Sequence, residues 1–118
     1  MTRLFRLRPW PSAALALVAC AAHAGAAEPS RGERFFNEKH GREWACATCH
    51  GARPIGEGRH AATGKPIAPL APAANPQRLT DPAKTEKWFR RNCNDVLGRE
   101  CSAEEKADVV AWLRTIRP

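Results

Sequence analysis

Cys46-Ala47-Thr48-Cys49-His50 is the stretch on which the reading of this chain turns. C-x-x-C-H is the covalent haem attachment signature. Two thiols at i and i+3 lie on one short helical turn and reach the two vinyl groups on one porphyrin edge. The next residue, His50, then falls beneath the iron as the fifth ligand. The rival readings of the pair are weaker. A thioredoxin-like C-x-x-C needs a βαβ context, and no such pattern is present. A structural zinc site needs a second pair at zinc spacing, and Cys93 and Cys101 are eight apart. A Cys46–Cys49 disulfide leaves His50 unexplained.

The rest of the chain agrees with a small domain stapled by a cofactor. It has 118 residues, 26% of them charged and 43% hydrophobic. That composition excludes a disordered chain and a multi-span membrane protein. A core this small usually needs a disulfide, a metal or a cofactor. No glycine-rich phosphate loop and no G-x-S-x-G elbow is present, so nucleotide and serine-hydrolase chemistry have no foothold.

The first residues read as a secretory leader, residues 1–27. Arg3, Arg6 and Arg8 form a basic start, Ala13 to Ala19 a short apolar run, and cleavage is expected near Ala24 to Ala27. Leu17-Val18-Ala19-Cys20 is a competing lipoprotein box that would leave Cys20 as a lipidated N-terminus. Two good sites downstream favour the ordinary leader and a periplasmic destination. Removing the leader takes three of the 19 Lys and Arg and none of the 12 acids, so the formal charge falls from +7 to +4. A modest positive charge suits an acidic protein partner. Nucleic acid is not expected, because no basic run is interleaved with aromatics.

The mature part, residues 28–118, reads as one all-α domain. Ser30 and Glu33 have the spacing of a capping box, starting a helix that runs to about Lys39 or His40 and stops at Gly41. Phe35 and Phe36 would be its buried side. Asp81-Pro82 starts another helix with proline in its first turn, ending between Cys93 and Gly98. Ser102 and Glu105 form a second capping box, and Val109, Trp112, Leu113 and Ile116 share one helical face. Trp88 and Trp112 are read as core residues, with a contact to the haem edge as the alternative. No stretch alternates as a strand would. Between Gly51 and Asp81, prolines at 54, 66, 69, 72 and 76 interrupt any long element. A loop this long with Ile55, Ile67, Leu70 and Leu79 in it makes sense if it wraps a large apolar cofactor.

Cys46 and Cys49 being taken by the haem, Cys93 and Cys101 remain. In an oxidising compartment they are expected to pair, two free thiols being the alternative. The sixth axial position decides what the haem does. The only methionine is Met1, so the His–Met pair of an ordinary small cytochrome c is excluded. His60 in the loop, His40, Lys65, Asn92 and Asn94 remain as candidates from the residues alone.

The chain from Trp44 onward, about 75 residues, resembles the sphaeroides haem protein family of monohaem c-type cytochromes. The resemblance is carried by Cys46 to His50, Thr63-Gly64-Lys65-Pro66-Ile67, Pro69 to Pro76, and Thr80-Asp81-Pro82-Ala83-Lys84. Its most specific part is Lys87-Trp88-Phe89-Arg90-Arg91-Asn92-Cys93 followed by Val96-Leu97-Gly98-Arg99-Glu100-Cys101. It implies a class I-like cytochrome c fold, with N- and C-terminal helices packed around haem c. It implies His50 as fifth ligand, Asn92 as a ferric sixth ligand that leaves on reduction, and a Cys93–Cys101 disulfide. It also implies oxygen, nitric oxide or carbon monoxide as ligands, and a dihaem c-type cytochrome and a b-type membrane cytochrome as electron donors. The competing expectation is a six-coordinate electron carrier with His60 or another residue as a strong sixth ligand.

Overall fold

The structure, a computed structural model, describes residues 25–118. The expected leader and Cys20 lie outside the described residues, save for the exposed coil at 25–27. Four helices follow: α1 (Pro29–Asn37), α2 (Cys46–His50), α3 (Pro82–Leu97) and α4 (Ala103–Thr115). The all-α expectation holds. A two-residue antiparallel ladder is added, β1 (Gly58–Arg59) against β2 (Pro66–Ile67), with Gly58 opposite Ile67. It is too short to leave an alternating pattern in the sequence.

Local chemistry starts and stops these helices largely as expected. Ser102 Oγ accepts from Glu105 N–H, and Glu105 Oε2 accepts from Ser102 N–H, closing the α4 capping box. Asp81 Oδ1 caps α3 through Lys84 N–H, Pro82 opens the helix, and Gly98 ends it in the left-handed region at φ 71°. The start of α1 differs from the sequence reading. Glu28, not Ser30, is the N-cap: its carboxylate accepts from Ser30 N–H, and Pro29 is the first helical residue. A proline there has no N–H to lose and its fixed φ suits the first turn, so it outweighs the Ser30/Glu33 spacing. The helix also stops earlier, at Glu38 rather than near Gly41.

The frame is the packing of α1 on α4. Phe36, Val109, Trp112, Leu113 and Ile116 are buried together with Ala71 of the loop. The Phe36 and Trp112 rings meet at 5.0 Å. The two helices approach most closely at Gly32: a Cβ there would land on the backbone carbonyl of Asp108. Beside that crossing Asp108, only 4% exposed, is fully bonded. Its Oδ1 accepts from Glu28 N–H at 2.6 Å and its Oδ2 from Arg31 Nε at 2.8 Å. Those two bonds, the Arg31 one foremost, hold its carboxyl below the usual 3.8. Arg31 also reaches Glu104 at 3.0 Å. A buried carboxylate is tolerated because a cation and an N–H satisfy it.

The long segment between α2 and α3 is ordered by its own bonds. The Pro54 carbonyl accepts from both Leu70 and Ala71 N–H, and Ala71 is completely buried. Arg78 donates through Nε to the Pro69 carbonyl and through Nη2 to that of Ala68. The next residue, Leu79, sits at φ 62°, a conformation a branched residue holds only when its surroundings over-determine it. Its packing against the core and the grip of Arg78 supply that constraint.

Two outcomes are expected. Gly32→Ala gains a little helix propensity but drives a methyl into rigid backbone, and should lower stability by about 2 kcal/mol in denaturant unfolding of the haem-loaded protein. Asp108→Asn should lower Tm at pH 7. A depressed folded pKa gives stability that is present above the unfolded value and lost as pH falls through the folded one. The Tm gap between Asp108→Asn and the parent should therefore narrow as pH drops below about 4.

Candidate haem-binding site

The α2 turn carries both thiols and the imidazole. Thr48 Oγ1 accepts from Ala45 N–H at 2.9 Å and so starts the helix on a residue with no polar side chain of its own. Gly51 ends it at φ 81°, its N–H donating to Ala47. One helical turn thus presents Cys46 and Cys49 on one side, with His50 directly after. Both cysteines are half-buried and stand apart from any disulfide among the described residues. Burial pushes the Cys46 thiol up to about 11, so it is protonated at neutral pH.

His50 is placed by neighbours on both flanks. Its ring lies 6.0 Å from that of Phe36, tying it to the α1–α4 frame. Burial, helped by the nearby charge of Arg78, pushes it down to about 4. The imidazole is therefore neutral at physiological pH and holds an unprotonated nitrogen, the form that ligates a metal. On the other side β1 lies against the turn. A Cβ on Gly58 would strike the Cys49 carbonyl and crowd His50 Cα, so only glycine allows this approach. Ala61 N–H also donates to Cys49 Sγ at 3.3 Å.

The alternative ligand in the loop, His60, is engaged otherwise. His60 Nδ1 accepts from the N–H groups of Ala62 and Thr63, both at 3.2 Å. A neutral imidazole accepting at Nδ1 carries its proton on Nε2 and has no lone pair left for a metal. In this arrangement His60 locks the β1–β2 turn. His40 is likewise engaged, stacked on Phe35 at 4.4 Å with Nε2 bonded to the Phe35 carbonyl at 2.8 Å. Lys65 is exposed.

Asn92 lies on α3, half-buried, and its amide makes no hydrogen bond to any described residue. The next residue is tied down: Cys93 and Cys101 form a disulfide with Cα atoms 5.6 Å apart. Asn94, by contrast, is exposed. Trp112 is core as expected, but Trp88 is not: it is 42% exposed, with the Arg91 guanidinium 5.7 Å from its ring centre. Trp88 precedes Asn92 by four residues and so shares its face of α3. Cys93 and Val96, the helix's buried residues, mark the other.

These features fit a haem. Ile55, Leu70, Leu79, Phe89 and Cys46 are half-buried and packed against the core, an apolar lining not yet fully covered. α3 packs closely on no other helix. The donor set is two thiols and a neutral imidazole on one turn, which suits thioether attachment to a porphyrin edge and axial ligation of its iron. The sequence singled out neither Gly58, Arg78 nor Phe36 as site residues. Glycine in a loop is too common to signal a close approach, and the contacts of Arg78 and Phe36 are long-range. Gly58→Ala should cut the yield of covalently attached haem, read by the haem absorbance of the pure chain after alkaline pyridine treatment.

A family profile described as a domain of unknown function (DUF1924) matches residues 22–113. The cytochrome c-type protein SHP of Cereibacter sphaeroides is 58% identical over 69 residues, covering 58% of this chain and 53% of that protein. Cytochrome c'' of Methylophilus methylotrophus is 48% identical over 88 residues, covering 71% of this chain and 61% of that protein. The chain thus spans between half and two thirds of the length of these relatives. The crystal structure of oxidized cytochrome c'' superimposes with a TM-score of 0.69 at 46% identity, covering 76% of each chain. The structure of oxidized SHP, an oxygen-binding cytochrome c, superimposes with a TM-score of 0.69 at 48% identity, covering 74% of this chain and 80% of that one. With its α1–α4 frame, its C-x-x-C-H turn and these similarities, the chain belongs to the SHP-like family of monohaem c-type cytochromes, which carry covalently bound haem c.

Proposed function

We propose that this chain is a periplasmic, gas-binding cytochrome c whose sixth axial position is held by the displaceable amide of Asn92. The observation that carries the reading is the Asn92 side chain itself. It is half-buried, bonded to no described residue, and set beside the disulfide-fixed Cys93. The haem, when bound, supplies an iron that changes oxidation state and, with one axial position open, takes up small diatomic gases.

The chain's own residues then divide the work. Cys46 and Cys49 hold the porphyrin edge as thioethers. His50 offers a neutral nitrogen from below, its ring steadied by Phe36. Asn92 supplies an amide oxygen, a hard and weak donor that tolerates ferric iron and suits ferrous iron poorly. With the haem bound, Asn92 would be the donor that lets go on reduction, while His50 would stay. The disulfide keeps the Asn92 backbone in place, so that the side chain returns on reoxidation. A relative whose structure was studied for haem-ligand detachment, cytochrome c'' of Methylophilus methylotrophus, supports such a release. An oxygen-binding relative supports a gas as ligand, and nitric oxide is the second candidate.

The leader supports export to the periplasm, and among the described residues no helix is long and apolar enough to cross a membrane. The electron donors implied by the family resemblance are a dihaem c-type cytochrome and a b-type membrane cytochrome. Lys84, Lys87, Arg90 and Arg91 give α3 a basic surface that suits an acidic donor. The alternative, a permanently six-coordinate electron carrier with His60 on the iron, is disfavoured by the two N–H groups that His60 Nδ1 accepts.

The test is a set of optical spectra of the haem-loaded protein: oxidised, reduced, and reduced under carbon monoxide. The reduced protein should be high-spin and shift promptly with carbon monoxide. Asn92→Ala should change the ferric spectrum and leave the reduced one nearly unaltered. Low-spin spectra in both states, unmoved by carbon monoxide, would refute the reading.

A further inference from the structure

We infer that the Glu86–Lys106 ion pair is a latch that sets the position of α3, and through it how readily Asn92 leaves the iron. The inference rests on the proposed role of Asn92 and adds two positioning residues to it.

α3 is held unevenly along its length. Its buried residues, Cys93 and Val96, both lie in its C-terminal half. That half is anchored firmly. The disulfide joins Cys93 to Cys101, and the connection between the helices is itself rigid. Arg99 grips Glu105 through two bonds of 2.8 and 2.9 Å, and Glu105 in turn caps Ser102. The N-terminal half is different. Between it and α4 lies an open groove of about 300 Å³, lined by Thr85, Glu86 and Phe89 on one side and Ala103, Lys106, Ala107 and Val110 on the other. The small side chains of Ala103 and Ala107 leave the two helices short of contact there.

One strong polar bond spans that groove: Lys106 Nζ donates to Glu86 Oε2 at 2.8 Å. The other ion pair along this seam, Arg90 with Glu100, is longer at 3.6 Å and more exposed on both partners. With its C-terminal end fixed and Phe89 as its apolar contact with the core, α3 shifts at its first turns when the Glu86–Lys106 strut opens. The Asn92 backbone sits beside the pivot at Cys93, but its side chain stands off the helix axis, so a tilt of α3 still displaces it. An exposed or half-exposed ion pair is worth little to overall stability. Its effect on the local setting of α3 is larger in proportion, because the groove it spans is open.

The test follows imidazole, a neutral ferric ligand at mildly alkaline pH, as it replaces Asn92 in the oxidised holoprotein. Glu86→Gln and Lys106→Gln should each raise the limiting replacement rate by up to about fivefold, as expected for loss of one such pair. The double swap Glu86→Lys with Lys106→Glu should restore the parent rate. Ala107→Leu, which fills the groove, should slow replacement. Raising salt from about 0.01 M to about 1 M shortens the screening length from roughly 30 to 3 Å, and should accelerate the parent but not the Gln variants. Asn92→Ala in the same assay separates the two claims. If it accelerates replacement while Glu86→Gln and Lys106→Gln do not, the latch is refuted and the ligand stands. If Asn92→Ala changes nothing, the ligand assignment falls and the latch with it.

Discussion

Everything in this molecule is referred to the close crossing of α1 and α4. A glycine at position 32 lets backbone meet backbone, and the buried Asp108 carboxylate, bonded to Glu28 and Arg31, keeps the crossing in register. From that crossing the placement of the site follows in steps. Phe36 leaves α1 one turn beyond Gly32 and packs on Trp112 of α4. The same ring faces His50, so the C-x-x-C-H turn is seated on the helix pair, with β1 of the loop against its other side. The frame is assembled from residues that never touch the proposed cofactor chemistry, yet they decide where the imidazole points.

The two sides of the site are built with different rigidity. The proximal side is over-determined: Thr48 caps the turn, Gly51 ends it, Gly58 presses against it and Phe36 backs it. The proposed sixth-ligand side depends on α3, which packs closely on no other described helix and is held by a disulfide, an ion pair and the contact of Phe89 with the core. That asymmetry suits a haem protein in which one axial ligand stays and the other leaves. A fixed donor demands many small constraints, whereas a displaceable one demands a few that can give way without unfolding the domain.

The comparison of residues with structure is instructive where it failed. Ser30 and Glu33 have capping-box spacing, yet Glu28 and Pro29 start the helix. The bond that settles it comes from Asp108, eighty residues away, which takes the Glu28 N–H. Trp88 falls in a helix beside Phe89 and reads as core, but α3 has no close partner to bury it. His60 reads as a candidate ligand because a loop histidine near C-x-x-C-H is suggestive. Only the folded turn places the N–H groups of Ala62 and Thr63 on its Nδ1.

The sequence by itself determined what is short-range. It contained the attachment turn Cys46 to His50, the caps at Asp81 and Ser102, the helical face of α4, and the absence of any methionine beyond Met1 that excludes an ordinary His–Met haem. Each of these rests on residues within a few positions of one another, where spacing alone dictates geometry. The tertiary structure decided the rest. It buried Asp108, brought Gly32 and Gly58 against foreign backbone and left a groove between α3 and α4. Those outcomes depend on which surfaces meet across the chain, and a linear pattern carries no record of that.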